Sequence, residues 1–217
     1  IFCDSWFRDS VTLVKQPLKN IDAVIATGSD NSSRYFEYYF GKYPHLIRKN
    51  RNSIAVLNGN ESSEDYKNLA DDIFLYFGMG CRSISKIFIP KGFNIPNMLD
   101  NFESYSYLYH HNKYANNYDY HRAIYLVNLV KHYDTGYLLL KEDKGYSSPV
   151  GILYYEYFDD SRQLSERLEA DKQKIQCIVS RKDKIESTIE YGKTQRPGLS
   201  DYADNADTLN FLIKLNN

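Results

Sequence analysis

Cysteine is scarce in this sequence, with three residues, Cys3, Cys81 and Cys177, in a chain of 217. An odd number at spacings that suit no metal excludes a disulfide framework and a metal centre of the usual kind. No run approaches the roughly 18 apolar residues of a membrane span. No secretory leader is legible either. Charge of one sign is not in excess, with 27 Lys and Arg against 28 Asp and Glu. A balanced chain offers no electrostatic ground for a nucleic-acid partner. These absences imply a reduced, cytoplasmic protein with a core of real size. The sequons Asn31-Ser32-Ser33 and Asn60-Glu61-Ser62 are then silent, since glycosylation needs a secretory route. The chain opens on "IFCDSWF" without a Met, which reads as a truncated or processed start.

What is abundant is tyrosine, at 21 residues. At this density tyrosine serves packing and surfaces more than chemistry. Strand and helix patterns alternate along the chain, so the expected class is α/β. Ala23 to Ala26 is a short apolar run that suits a buried strand. Thr27-Gly28-Ser29 is a turn, and Arg34 to Phe40 a short helix. Asp30 to Ser33 offer caps, and Gly41 and Pro44 end the helix. Strand, glycine turn and helix in that order can present N–H groups to a phosphate, or can be an ordinary αβ unit. "NSIAVLNG" (52–59) is a second strand with an Asn-Gly turn. Ser62 and Asp65 form a weak capping box. Tyr66, Leu69, Ala70, Ile73, Phe74 and Phe77 then line one helix face, which Gly78 ends. "SKIFIP", "YLLLKED", "GILYYEYF" and "IQCIVS" read as strands. "NIPNMLDNFES" and "DSRQLSERLEADKQK" read as helices. Between them lie a polar aromatic loop containing "NKYANNYDY" (112–120) and a helix near His121 to Tyr133. The end of the chain reads as a helical docking segment.

Among the cysteines, Cys177 sits inside an apolar strand, where a small hydrophobe suffices. Cys81 lies in "FGMGCRSISKIFIP" (77–90), at a helix-to-strand junction flanked by Gly78 and Gly80. Junction loops on rigid scaffolds are where reactive groups collect. The C-terminal end of a helix disfavours a thiolate, so activation has to come from elsewhere. Backbone N–H groups around Gly80, Cys81 and Arg82 can form a nest for an oxyanion, and Arg82 adds positive charge if it points inward. His110 and His111 could pair with the thiol, but nothing in the sequence places them close. Lys141, Glu142 and Asp143 read as a solvated strand end or a contact to ligand. Ser200, Asp201 and Asp204 read as turn and cap residues.

Several segments in order carry a resemblance. They are "AVIATGSDNSSRYFEYYFGKYP", "RKNRNSIAVLNGNE", "YFGMGCRSISKIFIPKG", "HNKYANNYDYHRA", "LLLKED", "SPVGILYYEYFDD" and "GLSDYADNADTLNFL". The chain resembles the bacterial acyl-CoA reductases of the LuxC type, in the aldehyde dehydrogenase superfamily. The resemblance implies that a cysteine attacks an acyl thioester and that NADPH or NADH reduces the acyl-enzyme to aldehyde. It makes Cys81 the nucleophile. It sets Thr27, Gly28 and Ser29 beside the cofactor. The Asn- and Tyr-rich 112–120 segment would border the acyl channel or a subunit contact. Pro149-Val150 matches the strand start after the cofactor-ribose contact, whose usual glutamate is replaced by Lys144, Gly145 and Tyr146. The superfamily's water-activating glutamate is also missing, since no acid lies between Glu37 and Glu61. An acyl-cysteine would then survive to be reduced or transferred.

By the same resemblance, residues 1–45 would be the end of a cofactor domain, 46–190 the thiol domain and 191–217 a docking segment. The partners implied are acyl-CoA or an acyl carrier, an acyl-transferring enzyme and a second copy of the chain. On its own the piece is expected to bind cofactor weakly and to lack reductase activity. A cysteine acyltransferase or thioesterase without hydride transfer, or an inert fragment, are the alternatives.

Overall fold

In the computed structural model, residues 9–181, 189–202 and 206–215 are described. The chain divides into two compact units, Ile1–Lys49 with Ala206–Asn217, and Asn50–Asn205.

In the first unit, β1 (Val24–Gly28) pairs in parallel with β2 (His45–Lys49), and α1 (Asp30–Phe40) connects them. Ser29 caps α1 by accepting from the Ser32 N–H. Thr27 and Gly28 therefore end the strand and only Ser29 is turn. The helix starts four residues before Arg34, because the Ser29 cap satisfies an amide of its first turn. The strand β2 was not anticipated, since "HLIRK" carries too little apolar alternation to read as one. The segment closes with α6 (Thr208–Leu215).

The larger unit is built on a sheet of order β5-β6-β7-β4-β3-β8. Its strands are β3 (Asn52–Val56), β4 (Ile84–Pro90), β5 (His132–Asp134), β6 (Leu139–Glu142), β7 (Ile152–Phe158) and β8 (Ile175–Val179). All pair in parallel except β5, which is antiparallel to β6. Parallel strands need cover on both faces, which explains the near-continuous apolar runs. Alternate residues of β3 show this directly. Ala55 packs on one face with Leu69, Ile73 and Phe74 of α2 (Ser63–Phe74) and Met98 of α3 (Ile95–Asp100). Ile54 and Val56 pack on the other with Leu164 and Leu168 of α5 (Ser161–Ala170).

The helix α2 follows the expected face from Tyr66 to Phe74, and Ser62 and Asp65 make both bonds of the capping box. It stops at Phe74, not at Gly78. Tyr76 and Phe77 take φ values of 56° and 62°, ahead of Gly78 at 69°. Phe77 is therefore not on the helix. The 112–120 segment, read as a loop, is the first half of α4 (Asn112–Val127). The helix expected near His121 to Tyr133 thus begins earlier, and His132–Asp134 is the strand β5. The buried positions of α4 are Tyr114, Tyr118 and Tyr125, so its apolar face is written in tyrosine rather than leucine.

Candidate active site

The turn that carries Cys81 runs from Gly80 to Ser83. The Ser83 N–H donates to the Gly80 carbonyl at 2.9 Å. The Gly80 N–H donates to Ser83 Oγ at 3.2 Å, and Gln195 Nε2 donates to the same oxygen at 3.2 Å. Cys81 and Arg82 form the corner, and the Cys81 side chain is exposed. The three successive left-handed residues upstream redirect the chain out of α2. For Tyr76 and Phe77 this conformation costs roughly 1–2 kcal/mol each. Strain of this kind concentrates at functional turns. The expected helix C-terminus directly before the thiol is replaced by this kinked segment.

The turn is anchored from below by Ser53, at the start of β3. Ser53 Oγ donates to the Cys81 carbonyl at 2.9 Å and lies 2.9 Å from Cys177 Sγ. A hydroxyl has one proton, so with that proton on the carbonyl the contact to sulfur is made by the Cys177 S–H as donor. Cys177 is thus held as a thiol. Burial pushes its pKa up to about 11. Of the two described cysteines, Cys81 faces solvent and Cys177 is sealed in the sheet.

A cleft of about 320 Å³ opens over the turn. Its wall comes from Asn50–Asn52 before β3, Gly78–Cys81 and Ser83 before β4, and Ser147–Val150 before β7. All three contributions lie at the N-terminal ends of adjacent parallel strands. This is opposite to the usual C-terminal crevice of open α/β sheets. Among the described residues, neither histidine nor carboxylate lines it.

The other expected site residues lie elsewhere. The Arg82 Nε donates to the Thr194 carbonyl, so its guanidinium is engaged by the 190s loop. That loop is fixed by buried Asp72, which accepts from the N–H groups of Gly192 and Thr194 and from the Thr194 hydroxyl. His111 stacks on Phe77, with ring centroids 4.3 Å apart. Neither His110 nor His111 lines the cleft. Lys141 pairs with Asp143 at 2.6 Å. Asp201 accepts from the Gly198 N–H as a turn residue, while Cys3 and Asp204 lie outside the described residues.

Thr27, Gly28 and Ser29 belong to the smaller unit. A Cβ on Gly28 would meet Ser32 Cβ at 2.8 Å and Phe36 at 3.1 Å. Close packing of α1 on β1 therefore accounts for the glycine without any ligand. Sequence reasoning missed Arg51, Ser147 and Ser148, which sit ahead of strands, and Ser53, at the start of β3. The polar run "NRNS" before "IAV" was the available signal.

The doubly covered, mostly parallel sheet makes this an α/β fold, and it resembles that of solved aldehyde dehydrogenases. Solved structures with this fold include PutA from Anabaena variabilis, at 13% identity, covering 82% of this chain and 48% of that one with a TM-score of 0.55. Betaine aldehyde dehydrogenase from Staphylococcus aureus is similar at 10% identity, 81% and 41% coverage and a TM-score of 0.54. An NAD-dependent benzaldehyde dehydrogenase from Corynebacterium glutamicum matches at 11% identity, 76% and 45% coverage and a TM-score of 0.52. The chain thus spans less than half the length of these three structures. No family model matches it, and no curated protein is similar to it in sequence. Among the described residues, no helix is long and apolar enough to cross a membrane.

Proposed function

We propose that this chain carries the thiol half of an acyl-thioester reductase, with Cys81 as nucleophile and an acyl-CoA or acyl carrier as donor. The observation that carries this reading is the exposed Cys81 in a cleft that, among the described residues, is lined by neither carboxylate nor histidine, on an aldehyde dehydrogenase fold. The thiolate attacks the thioester carbonyl, the donor's thiolate leaves, and the acyl group stays on Cys81. The amides of Cys81 and Arg82 are the candidates to hold the oxyanion, since the Gly80 amide is taken by Ser83. A nicotinamide cofactor, NADPH or NADH, would supply the hydride that converts the acyl-cysteine to aldehyde and frees the thiol. Thr27, Gly28 and Ser29 are the residues of this chain that would face it.

Given labelled long-chain acyl-CoA without reductant, Cys81 should become labelled through a bond that neutral hydroxylamine cleaves. Label persisting in Cys81→Ala would overturn the assignment. The acyl-enzyme should also hydrolyse slowly, because general-base assistance to water is typically worth about 10² to 10⁴ in rate and no carboxylate or histidine among the described residues lines the cleft. Release of free fatty acid would be followed by chromatography after removing excess donor. Loss of the acyl group within seconds would favour a thioesterase.

A further inference from the structure

Among the described residues, Arg51 is the one charged residue lining the Cys81 cleft; the rest of the described polar lining is neutral asparagine, serine and cysteine. Its Nε is shut off from solvent and has no hydrogen-bond partner among the described residues. An unmet donor of a charged group is costly, more so than for a neutral one. The fork of a guanidinium matches phosphate and carboxylate oxygens, and it stays charged at any working pH. A cation among the lining residues of a small polar cleft, with no anion among the described residues of its wall, is complementary to an anion brought by a ligand.

We infer that Arg51 is the anion-binding residue of this cleft, and that the molecule presented to Cys81 carries a phosphate or carboxylate that Arg51 holds. This rests on the proposed role of Cys81 for its place in a reaction, but not for the binding itself. Arg51 lies two residues ahead of Ser53, whose hydroxyl holds the Cys81 carbonyl. Anion binding and thiol placement are thus coupled through one short stretch at the start of β3. Arg51 was not among the residues singled out in the sequence, and Arg82, which was, is committed to Thr194.

The binding is tested on the 217-residue chain by alkylation of Cys81, followed by peptide mapping. Iodoacetate and iodoacetamide differ in charge but react alike with a thiolate. Arg51→Gln should lower the ratio of the iodoacetate rate to the iodoacetamide rate by about fivefold, the effect of roughly 1 kcal/mol between neighbouring charges in water. Arg51→Lys should largely restore the ratio. Both variants are checked for folding by circular dichroism. Inorganic phosphate should protect the wild type against iodoacetamide if the ligand anion is a phosphate, and butyrate if it is a carboxylate. An unchanged ratio in Arg51→Gln, or no protection by either anion, overturns the inference. Labelling by acyl-CoA is then compared with labelling by the same acyl group on N-acetylcysteamine, a neutral thioester. Selective loss of acyl-CoA labelling in Arg51→Gln supports phosphate recognition. If neither thioester labels Cys81, the reductase reading fails while the alkylation ratio still decides the role of Arg51.

Discussion

Ser53 shows how a single side chain ties the Cys81 turn to the buried Cys177 thiol. Its proton goes to the Cys81 carbonyl, its lone pair receives the Cys177 S–H, and it is itself fully buried. Ser53→Ala would leave both groups without that partner in a closed space. The expected cost is about 1–3 kcal/mol of unfolding free energy, read from urea titration. The variant should also raise the alkylation rate of Cys177 relative to Cys81. Wild-type values of both quantities in Ser53→Ala would show that the hydroxyl bridges nothing of consequence. At this scale the sequence pointed to the reactive thiol but not to its support. The Gly-Cys-Arg turn is local and legible. The contact between residue 53 and residues 81 and 177 exists only once three strands are side by side.

At the scale of elements, the joint between β4 and β7 is electrostatic as well as apolar. Lys86 has no solvent exposure, and its Nζ reaches Glu156 at 2.5 Å and the Asp143 carbonyl at 3.0 Å. Its ammonium also lies 4.8 Å from the Phe88 ring centroid and 5.3 Å from that of Tyr146. Arg167 of α5 grips the other Glu156 oxygen, so one carboxylate ties helix to sheet. Burial pulls the Lys86 pKa down despite the pairing. Burial works to raise Glu156, but hydrogen bonds from Arg167 and Lys86 more than offset it, and its pKa falls below 4.5. A carboxyl lowered by folding contributes stability that is present above its unfolded pKa. That contribution is lost as pH falls through the folded value. The urea midpoint should therefore drop below about pH 4.5, and the acid slope should be shallower in Glu156→Gln. At pH 7 that variant should lose about 3–5 kcal/mol, because it strands a buried ammonium. Lys86→Met should cost less, since Glu156 keeps Arg167. If the two substitutions are equally mild, the pair is not the joint described.

The elements themselves were legible where apolar residues alternate or recur at helical spacing, as in β3, α2, β4 and β7. Legibility failed where polar-looking residues do apolar work. Nothing in "NKYANNYDY" announces a helix, because asparagine is a poor helix former and tyrosine reads as surface. Tyr118 resolves the conflict. Its ring is buried with Leu139 and Ile152, while its hydroxyl donates to Asp134. A tyrosine whose tip is satisfied in this way packs like a phenylalanine.

At the scale of the whole molecule, the two units hold the two halves of the proposed chemistry, Thr27–Ser29 in one and Cys81 in the other. The larger unit packs helices on both faces of its sheet, and it is the part expected to fold independently. Among the described residues, the smaller unit offers a two-stranded parallel sheet and one helix between its strands. A dinucleotide crevice of the doubly wound kind uses more strands than this, plus a residue that reads the ribose. The helix N-terminus after Ser29 has one amide already capped by the serine hydroxyl. We therefore expect the 217-residue chain to bind NADPH or NADH weakly, with a dissociation constant no tighter than about 1 mM, equivalent to roughly 4 kcal/mol. It should form the acyl-Cys81 adduct without turning it over to aldehyde. Calorimetric titration with each cofactor, alongside an aldehyde assay on the acylated chain, tests both statements. Micromolar binding with aldehyde release would mean that these two strands, with Thr27, Gly28 and Ser29, suffice for hydride transfer. The expectation that a productive crevice needs further strands would then have to be given up.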